Sequence, residues 1–325
     1  SFRLHTKACE MKIHLICPDF NYVVSGGNLY NKKLVNASQG QIMPVFYDCD
    51  IILSKIEKIP EDEIVLIDSL ILTKIGHLVT RPFMILCHLP SFIEGDTDKK
   101  DIELEKDLYK EHPIIVTGNR MKNELMRSFD IYSIKIFTIL PGIDHHVRKQ
   151  HYKNATEQLV WIGNLIPRKG FLEMLDYLRQ LTHFNWYLDV YGSTDFDINY
   201  TLSVKDKIAH CNLENRISFK QALPHDVLMK DLAKYDLLLQ FSRFESFGMA
   251  VFEALNIGLP VLGLHLNQEP YFNQFTHSYS AEDAGEWYKK LLFLIEYPGE
   301  IKKTNQLNSR TWDDVYQDFS AVIKQ

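Results

Sequence analysis

Phe244-Glu245-Ser246-Phe247-Gly248-Met249-Ala250-Val251-Phe252-Glu253-Ala254-Leu255 decides how this chain folds. An apolar run, Tyr235-Asp236-Leu237-Leu238-Leu239-Gln240-Phe241, precedes it, and Gly258-Leu259-Pro260-Val261-Leu262-Gly263-Leu264 follows. The succession reads as strand, glutamate-bearing turn, helix, glycine stop and strand, which is one βαβ unit. Such a turn offers helix N-terminal amides at the carboxyl end of a strand, where α/β folds bind phosphates and nucleotides.

Outward from this unit the same alternation continues. Upstream lie apolar runs at Leu159–Gly163, Trp186–Val190 and Arg216–Phe219, each followed by a helical segment. An earlier series holds Lys12–Cys17, Glu63–Ile67, Phe83–Cys87, Ile114–Val116 and Lys135–Ile139. After the first of these comes a polar loop with Ser25-Gly26-Gly27-Asn28, then a helix from about Leu29. Strands alternating with helices imply parallel, doubly wound sheets. Pro141-Gly142-Ile143-Asp144 ends the first series, and the polar stretch to about Glu157 has no periodicity. The expected organisation is an α/β protein of two Rossmann-like domains, residues 11–152 and 153–311. A last amphipathic helix, 312–324, carries Trp312, Val315, Tyr316, Phe319 and Ile323 on one face and can pack back on the first domain.

Composition narrows the function classes. Net charge is −6 over 325 residues, and neither half is basic: 19 Lys/Arg against 20 Asp/Glu up to residue 152, then 17 against 22. Nucleic acid is therefore not an expected partner. The five cysteines, Cys9, Cys17, Cys49, Cys87 and Cys211, show no metal-ligand spacing, and Cys17, Cys49 and Cys87 read as buried thiols of a reducing compartment. The apolar run Ile64–Leu72 is broken by Asp68 and is too short to span a membrane. Ser1–Glu10 reads as an appended segment ahead of a native start at Met11, with no secretory signal after it, so the expected location is the cytoplasm.

Glu245 precedes its helix, so its carboxylate can meet a ligand; Ser246, Phe247, Gly248 and Met249 then offer first-turn amides, and Gly248 permits close approach. A carboxylate pair could alternatively hydrolyse a glycoside, which wants carboxyl groups within about 5–9.5 Å. Eight helical residues rise roughly 12 Å, so Glu245 and Glu253 read instead as holding two parts of one extended ligand. Three acidic pairs, Asp48/Asp50, Asp96/Asp98 and Asp195/Asp197, imitate a metal-binding motif. The latter two lie in polar stretches and read as solvated surface; no metal is expected.

The whole set of motifs resembles the retaining GT-B glycosyltransferases, particularly glycosyltransferase family 4. The likeness runs over most of the chain after Met11. It is carried by Glu245 and Glu253, Gly163-Asn164-Leu165-Ile166-Pro167-Arg168-Lys169-Gly170, Val190-Tyr191-Gly192 and Gly258-Leu259-Pro260-Val261. In the first domain it is carried by Gly26-Gly27, His88 after a strand, and Pro141-Gly142-Ile143-Asp144. The resemblance implies two domains facing across a cleft and metal-independent transfer of a hexose from a nucleotide sugar, such as a UDP-sugar or GDP-sugar, to a saccharide or lipid-linked acceptor. It implies that Glu245 binds hydroxyls of the sugar, that the amides of Phe247, Gly248 and Met249 meet sugar or diphosphate, and that Glu253 holds the ribose. Lys169 would neutralise the leaving diphosphate, Gly26 and Gly27 would let their loop approach donor phosphate and acceptor, and His88 would face the sugar. The acceptor would approach through Gly26–Tyr30. Retention would follow a front-face route in which the leaving phosphate helps deprotonate the acceptor.

Each assignment has a plainer alternative from the residues alone. Lys169 could sit on an exposed first turn, His88 could be structural or solvated, and Gly26-Gly27 could form an ordinary turn. Two positions depart from the family pattern. Asn164 stands where an arginine is usual, and Arg168 could replace that cation only if it turned inward, although helical neighbours point apart. Gln221 stands where glycine is frequent and would reshape the base pocket. A phosphorylase would need a longer chain, and a sugar epimerase does not require this glutamate pair. A non-catalytic nucleotide-sugar-binding or scaffolding protein is the alternative that Asn164 keeps open. The segment Arg120–Lys149, rich in Arg and Lys with Leu125, Met126 and Phe129 nearby, reads as a solvated helix face or as a peripheral contact with the inner face of a membrane. Oligomeric state is open.

Overall fold

The computed structural model describes residues 12–21, 25–94, 97–144, 157–220, 223–301 and 310–324. Two compact units divide the chain: the described residues of Ser1–Gly142 with those of Arg310–Gln325, and those of Ile143–Ser309. The expected junction near residue 152 lies outside the described residues, as do Ser1–Glu10, Met11 and Cys9.

The first unit is a six-stranded sheet of β1 (Ile13–Cys17), β2 (Ile42–Phe46), β3 (Ile64–Asp68), β4 (Met84–Cys87), β5 (Ile114–Val116) and β6 (Ile136–Thr138). Its order is β2-β1-β3-β4-β5-β6, every neighbour parallel. The second holds β7 (Glu157–Ile162), β8 (Trp186–Tyr191), β9 (Ile217–Lys220), β10 (Leu237–Gln240), β11 (Val261–Leu264) and β12 (Ser278–Ala281). Its order, β12-β11-β10-β7-β8-β9, is also all parallel. Buried runs such as Val65-Leu66-Ile67 and Leu237-Leu238-Leu239 explain the central strands, because a parallel sheet covered on both faces needs continuous apolar residues.

Two strands were not legible in the apolar pattern, and both are edge strands. Pro44 within β2 cannot donate to a ladder, which an edge position tolerates. In β12 the sequence Ser-Tyr-Ser-Ala has little apolar content to mark it. Cys17 and Cys87 are buried, whereas Cys49, expected to be buried, is exposed in the turn after β2.

Sheet order fixes where a ligand site can lie. The chain runs from β1 to β2 on one side and from β2 back across β1 to β3 on the other, so the first unit reverses between β1 and β3. The second reverses between β7 and β10. In open α/β sheets the crevice at such a switch point, at the carboxyl ends of the strands, is where ligands bind. The helix Trp312–Ile323 belongs to the first unit: Trp312 meets Tyr30 edge-on with ring centroids 5.3 Å apart, and Arg310 Nε donates to the Leu140 carbonyl at 3.0 Å. Trp312, Val315 and Phe319 are its buried face. Among the described residues, no helix is long and apolar enough to cross a membrane.

Candidate functional site

At the second unit's switch point, the loop after β7 meets the loop after β10. The Arg243 amide donates to the Arg168 carbonyl at 2.9 Å, and Arg168 Nη1 donates to the Phe244 carbonyl at 2.8 Å. Lys169 Nζ lies 2.5 Å from Glu245 Oε1, and Arg168 Nη1 lies 3.7 Å from Oε2. These three side chains are only 14–19% exposed. Arg168 therefore does turn inward. The expectation that neighbouring residues diverge assumed an α-helix, but Pro167–Lys169 is a 3₁₀ turn, which gathers consecutive side chains differently. Burial would raise the Glu245 pKa. The charges of Lys169 and Arg168, with hydrogen bonds from Lys169 and Ser242, reverse that and hold it at about 2. Glu245 is an ionised acceptor, not an acid.

The helix carrying Glu253 is Met249–Asn256, shorter than the sequence reading assumed. Its cap is Gly248, at φ +99°, a conformation that side-chain-bearing residues adopt only with strain. Ser246 and Phe247 thus lie in the turn ahead of the helix. The Phe247 ring is buried against Phe252 and Phe272, which leaves its backbone as the part that can serve a ligand. Helical geometry supplies no carbonyl partner for the amides of Met249, Ala250 and Val251. Only the second half of the interval from Glu245 to Glu253 is helical, so the rise of eight helical residues does not measure their separation. Glu253, 8% exposed, accepts from His225 Nε2 at 2.6 Å.

Asn164 has a local task. Its Oδ1 accepts from the Ser193 amide at 3.3 Å, while the Leu165 amide donates to the Ser193 carbonyl at 3.1 Å. The asparagine thus ties the loops after β7 and β8 together.

In the first unit, the switch point holds a buried polar cluster. The expected polar loop is in fact the start of the helix Gly26–Ala37, capped by the Ser25 hydroxyl, which accepts from the Asn28 amide. Gly27 and Asn31, four residues apart, share one helix face, and the His88 ring lies on it. A Cβ on Gly27 would stand 3.0 Å from ring atoms of His88, so any larger residue would have to push the ring aside by a few tenths of an ångström. Asn31 Nδ2 donates to Asp68 Oδ2 at 2.6 Å, and its Oδ1 lies 2.8 Å from His88 Nε2. A carboxylate only accepts, so the Asn31 oxygen must face His88. Nε2 therefore carries the hydrogen and Nδ1 the lone pair. Burial pushes the His88 pKa below its ordinary 6.5 against the pull of Asp68, which keeps the ring neutral. Asp68 also caps the helix Ser69–Ile75 through the Leu70 amide, and the His88 amide donates to Ser69 Oγ.

Asn31, Asp68 and His225 escaped the sequence reading. The only available signal was Asp68 itself, a lone carboxylate interrupting an apolar run at a strand's end. Among the described residues, two groups could bring three metal-ligand atoms together: exposed Asp48, Cys49 and Asp50, and Asp144, His225 and Asp226. Neither includes a residue of the Lys169–Glu245 cluster. Asp98 and Asp197 cap helices, which accounts for both without a metal. Asp96, Gln221, Arg148 and Lys149 lie outside the described residues.

With this geometry in place, comparison with solved structures defines the fold. Sucrose-phosphate synthase from Thermosynechococcus elongatus superposes with TM-score 0.74 at 13% identity, covering 97% of this chain and 94% of that one. HepE from Anabaena, in a structure with UDP and glucose, gives TM-score 0.75 at 14% identity, covering 97% and 100%. A glycosyltransferase from Rickettsia africae gives 0.59 at 13%, covering 96% and 94%. At these identities the likeness shows the GT-B fold. Residues 144–269 match the family described as "Glycosyl transferases group 1", a region that starts at Asp144 and contains the whole Lys169–Glu245–Glu253 constellation. No curated protein matches the chain in sequence. The fold is thus GT-B, and the sequence match to that family lies within the second unit.

Proposed function

We propose that the chain is a retaining, metal-independent hexosyltransferase that moves a sugar from a nucleotide donor, a UDP-sugar or GDP-sugar, to a saccharide or lipid-linked acceptor. The observation that carries this reading is the convergence of Lys169, Arg168 and ionised Glu245 at the β7–β10 switch point. A diphosphate needs cations as its charge develops. Lys169 supplies one, and inward-turned Arg168 supplies the second that Asn164 does not. When the diphosphate takes over these cations, Glu245 remains an acceptor for sugar hydroxyls. The amides of Phe247, Gly248 and Met249, at the positive end of the Met249–Asn256 helix, face the sugar and diphosphate. Glu253 accepts from the ribose hydroxyls.

The first unit serves the sugar and the acceptor. His88 is neutral and offers Nδ1 as an acceptor for a sugar hydroxyl, while Gly26 and Gly27 open the start of their helix to the acceptor. In the transfer, the bond from the anomeric carbon to the phosphate oxygen breaks and a bond to the acceptor oxygen forms on the same face. The acceptor's proton passes to the leaving phosphate. A cytoplasmic setting, with peripheral contact at the inner membrane face, suits a lipid-linked acceptor.

The test is turnover of UDP-glucose, UDP-galactose, UDP-N-acetylglucosamine and GDP-mannose with excess EDTA present. Slow hydrolysis of one donor, abolished by Glu245→Ala, with the released sugar keeping its anomeric configuration by NMR, is the expected result. Tight nucleotide binding without turnover across donors and acceptors would favour a non-catalytic binding protein.

A further inference from the structure

We infer that His225 is a positioning residue for the Glu253 carboxylate, and that this contact sets how strongly the site prefers a ribonucleotide over its deoxy counterpart. The inference rests on the assignment of Glu253 to the ribose. His225 opens the helix His225–Asp231, directly after Pro224, and its Nε2 meets Glu253 Oε1 at 2.6 Å across 28 residues of sequence. The side chains are 21% and 11% exposed, so the pair sits at the rim of the protein interior rather than in solvent. The far end of the same helix is pinned to the sheet by a hydrogen bond from the Tyr191 hydroxyl to Asp231. The ring is thus delivered by the fold and not by a mobile side chain reaching out.

The chemistry of a vicinal diol explains the need for such an anchor. Two hydroxyl donors require a carboxylate held in one plane, yet the terminal torsion of glutamate is broad and roughly two-fold. One oxygen fixed by the ring N–H leaves Oε2 and the remaining lone pairs aimed consistently at a ligand. Two further carboxylates surround the ring: Asp226 Oδ1 is 3.7 Å from Nδ1, and Asp144 brings an oxygen into the same cluster. His225→Ala would free Glu253 to rotate and remove its preference for ribose hydroxyls.

The test is calorimetric titration of the full chain with UDP and GDP and with their 2′-deoxy and 3′-deoxy analogues. Wild type should prefer one ribonucleotide over its deoxy forms by about tenfold to a hundredfold, the range expected for a hydrogen bond to a charged group. His225→Ala and His225→Asn, the latter too short to reach, should reduce that ratio to about twofold or less. His225→Gln, whose amide can occupy the place of Nε2, should restore most of it. The ratio is read within one protein, so the deoxy ligand's own affinity reports an intact site, which a merely structural role for His225 would not keep. A wild-type ratio in His225→Ala, with the ratio lost in Glu253→Ala, would overturn the role of His225 alone. No ribose preference in wild type, or no binding of UDP or GDP, would overturn the assignment of Glu253 and the inference with it.

Discussion

The two switch points solve opposite problems. In the first unit, Asp68, Asn31 and His88 are 0%, 0% and 7% exposed, and the hydrogen bonds that join them to one another lie inside the unit, leaving only the His88 Nδ1 edge for a ligand. In the second, Lys169, Arg168 and Glu245 keep some exposure and pair ionised groups that a ligand can compete for. One cluster is built to stay as it is; the other is built to exchange partners. The difference follows from chemistry: a buried unpaired group is costly, whereas cations at a partly wet rim can move from a carboxylate to a phosphate at little net loss.

Removing the hub of each cluster should break the comparison most visibly. Asp68→Ala deletes a helix cap and leaves the Asn31 amide without its carboxylate, at a combined cost of about 2–4 kcal/mol. Glu245→Gln leaves the largely buried Lys169 and Arg168 without their counter-charge, at about 2–3 kcal/mol that a bound diphosphate should offset. Urea unfolding followed by peptide-level hydrogen exchange, which separates the units, checks both with and without nucleotide; a Glu245→Gln cost that bound nucleotide leaves unchanged would erase the distinction. Gly248→Ala comes next, at about 1–2 kcal/mol, since alanine at φ +99° is strained although its Cβ would meet only ordinary contacts with Phe272 and Val251. Acid sensitivity should sharpen the contrast further. The folded pKa of His88 lies below its ordinary 6.5, so its stabilising contribution is present above that pH and is lost as pH falls below it. Glu245 is depressed from 4.5 to about 2, so its contribution is whole above 4.5 and is lost only on the way to pH 2. Exchange protection in the first unit should therefore decline at higher pH than in the second; the reverse order would contradict the assigned charge states. The smallest effect is expected from Asn164→Ala, which removes one hydrogen bond between the β7 and β8 loops and should cost about 0.5–1.5 kcal/mol in stability.

Much of this was legible in the sequence because the information is local. Central parallel strands are continuous apolar runs, so Val65–Ile67 and Leu237–Leu239 marked themselves. Glu245 and Lys169 stood beside recognisable strand ends. The edge strands β2 and β12 were not legible, since one face of their ladder is unpaired and neither proline nor serine is excluded there. The contacts Asn31–Asp68, Asn31–His88 and His225–Glu253 join residues 37, 57 and 28 positions apart, and only the folded sheet order brings them together. The direction of Arg168 was left open by the sequence for a different reason. Its inward turn depends on a 3₁₀ geometry that the Pro167-Arg168-Lys169 sequence permits but does not announce.

The exchange of partners in the second unit is tested most directly by titrating UDP and GDP into wild type, Lys169→Ala and Arg168→Ala at two salt concentrations. Each substitution should weaken the nucleotide that binds wild type by about tenfold or more, and the salt dependence of binding should shrink with each cation removed. Unchanged affinity and salt dependence in both variants would contradict the assignment of these two cations to the diphosphate.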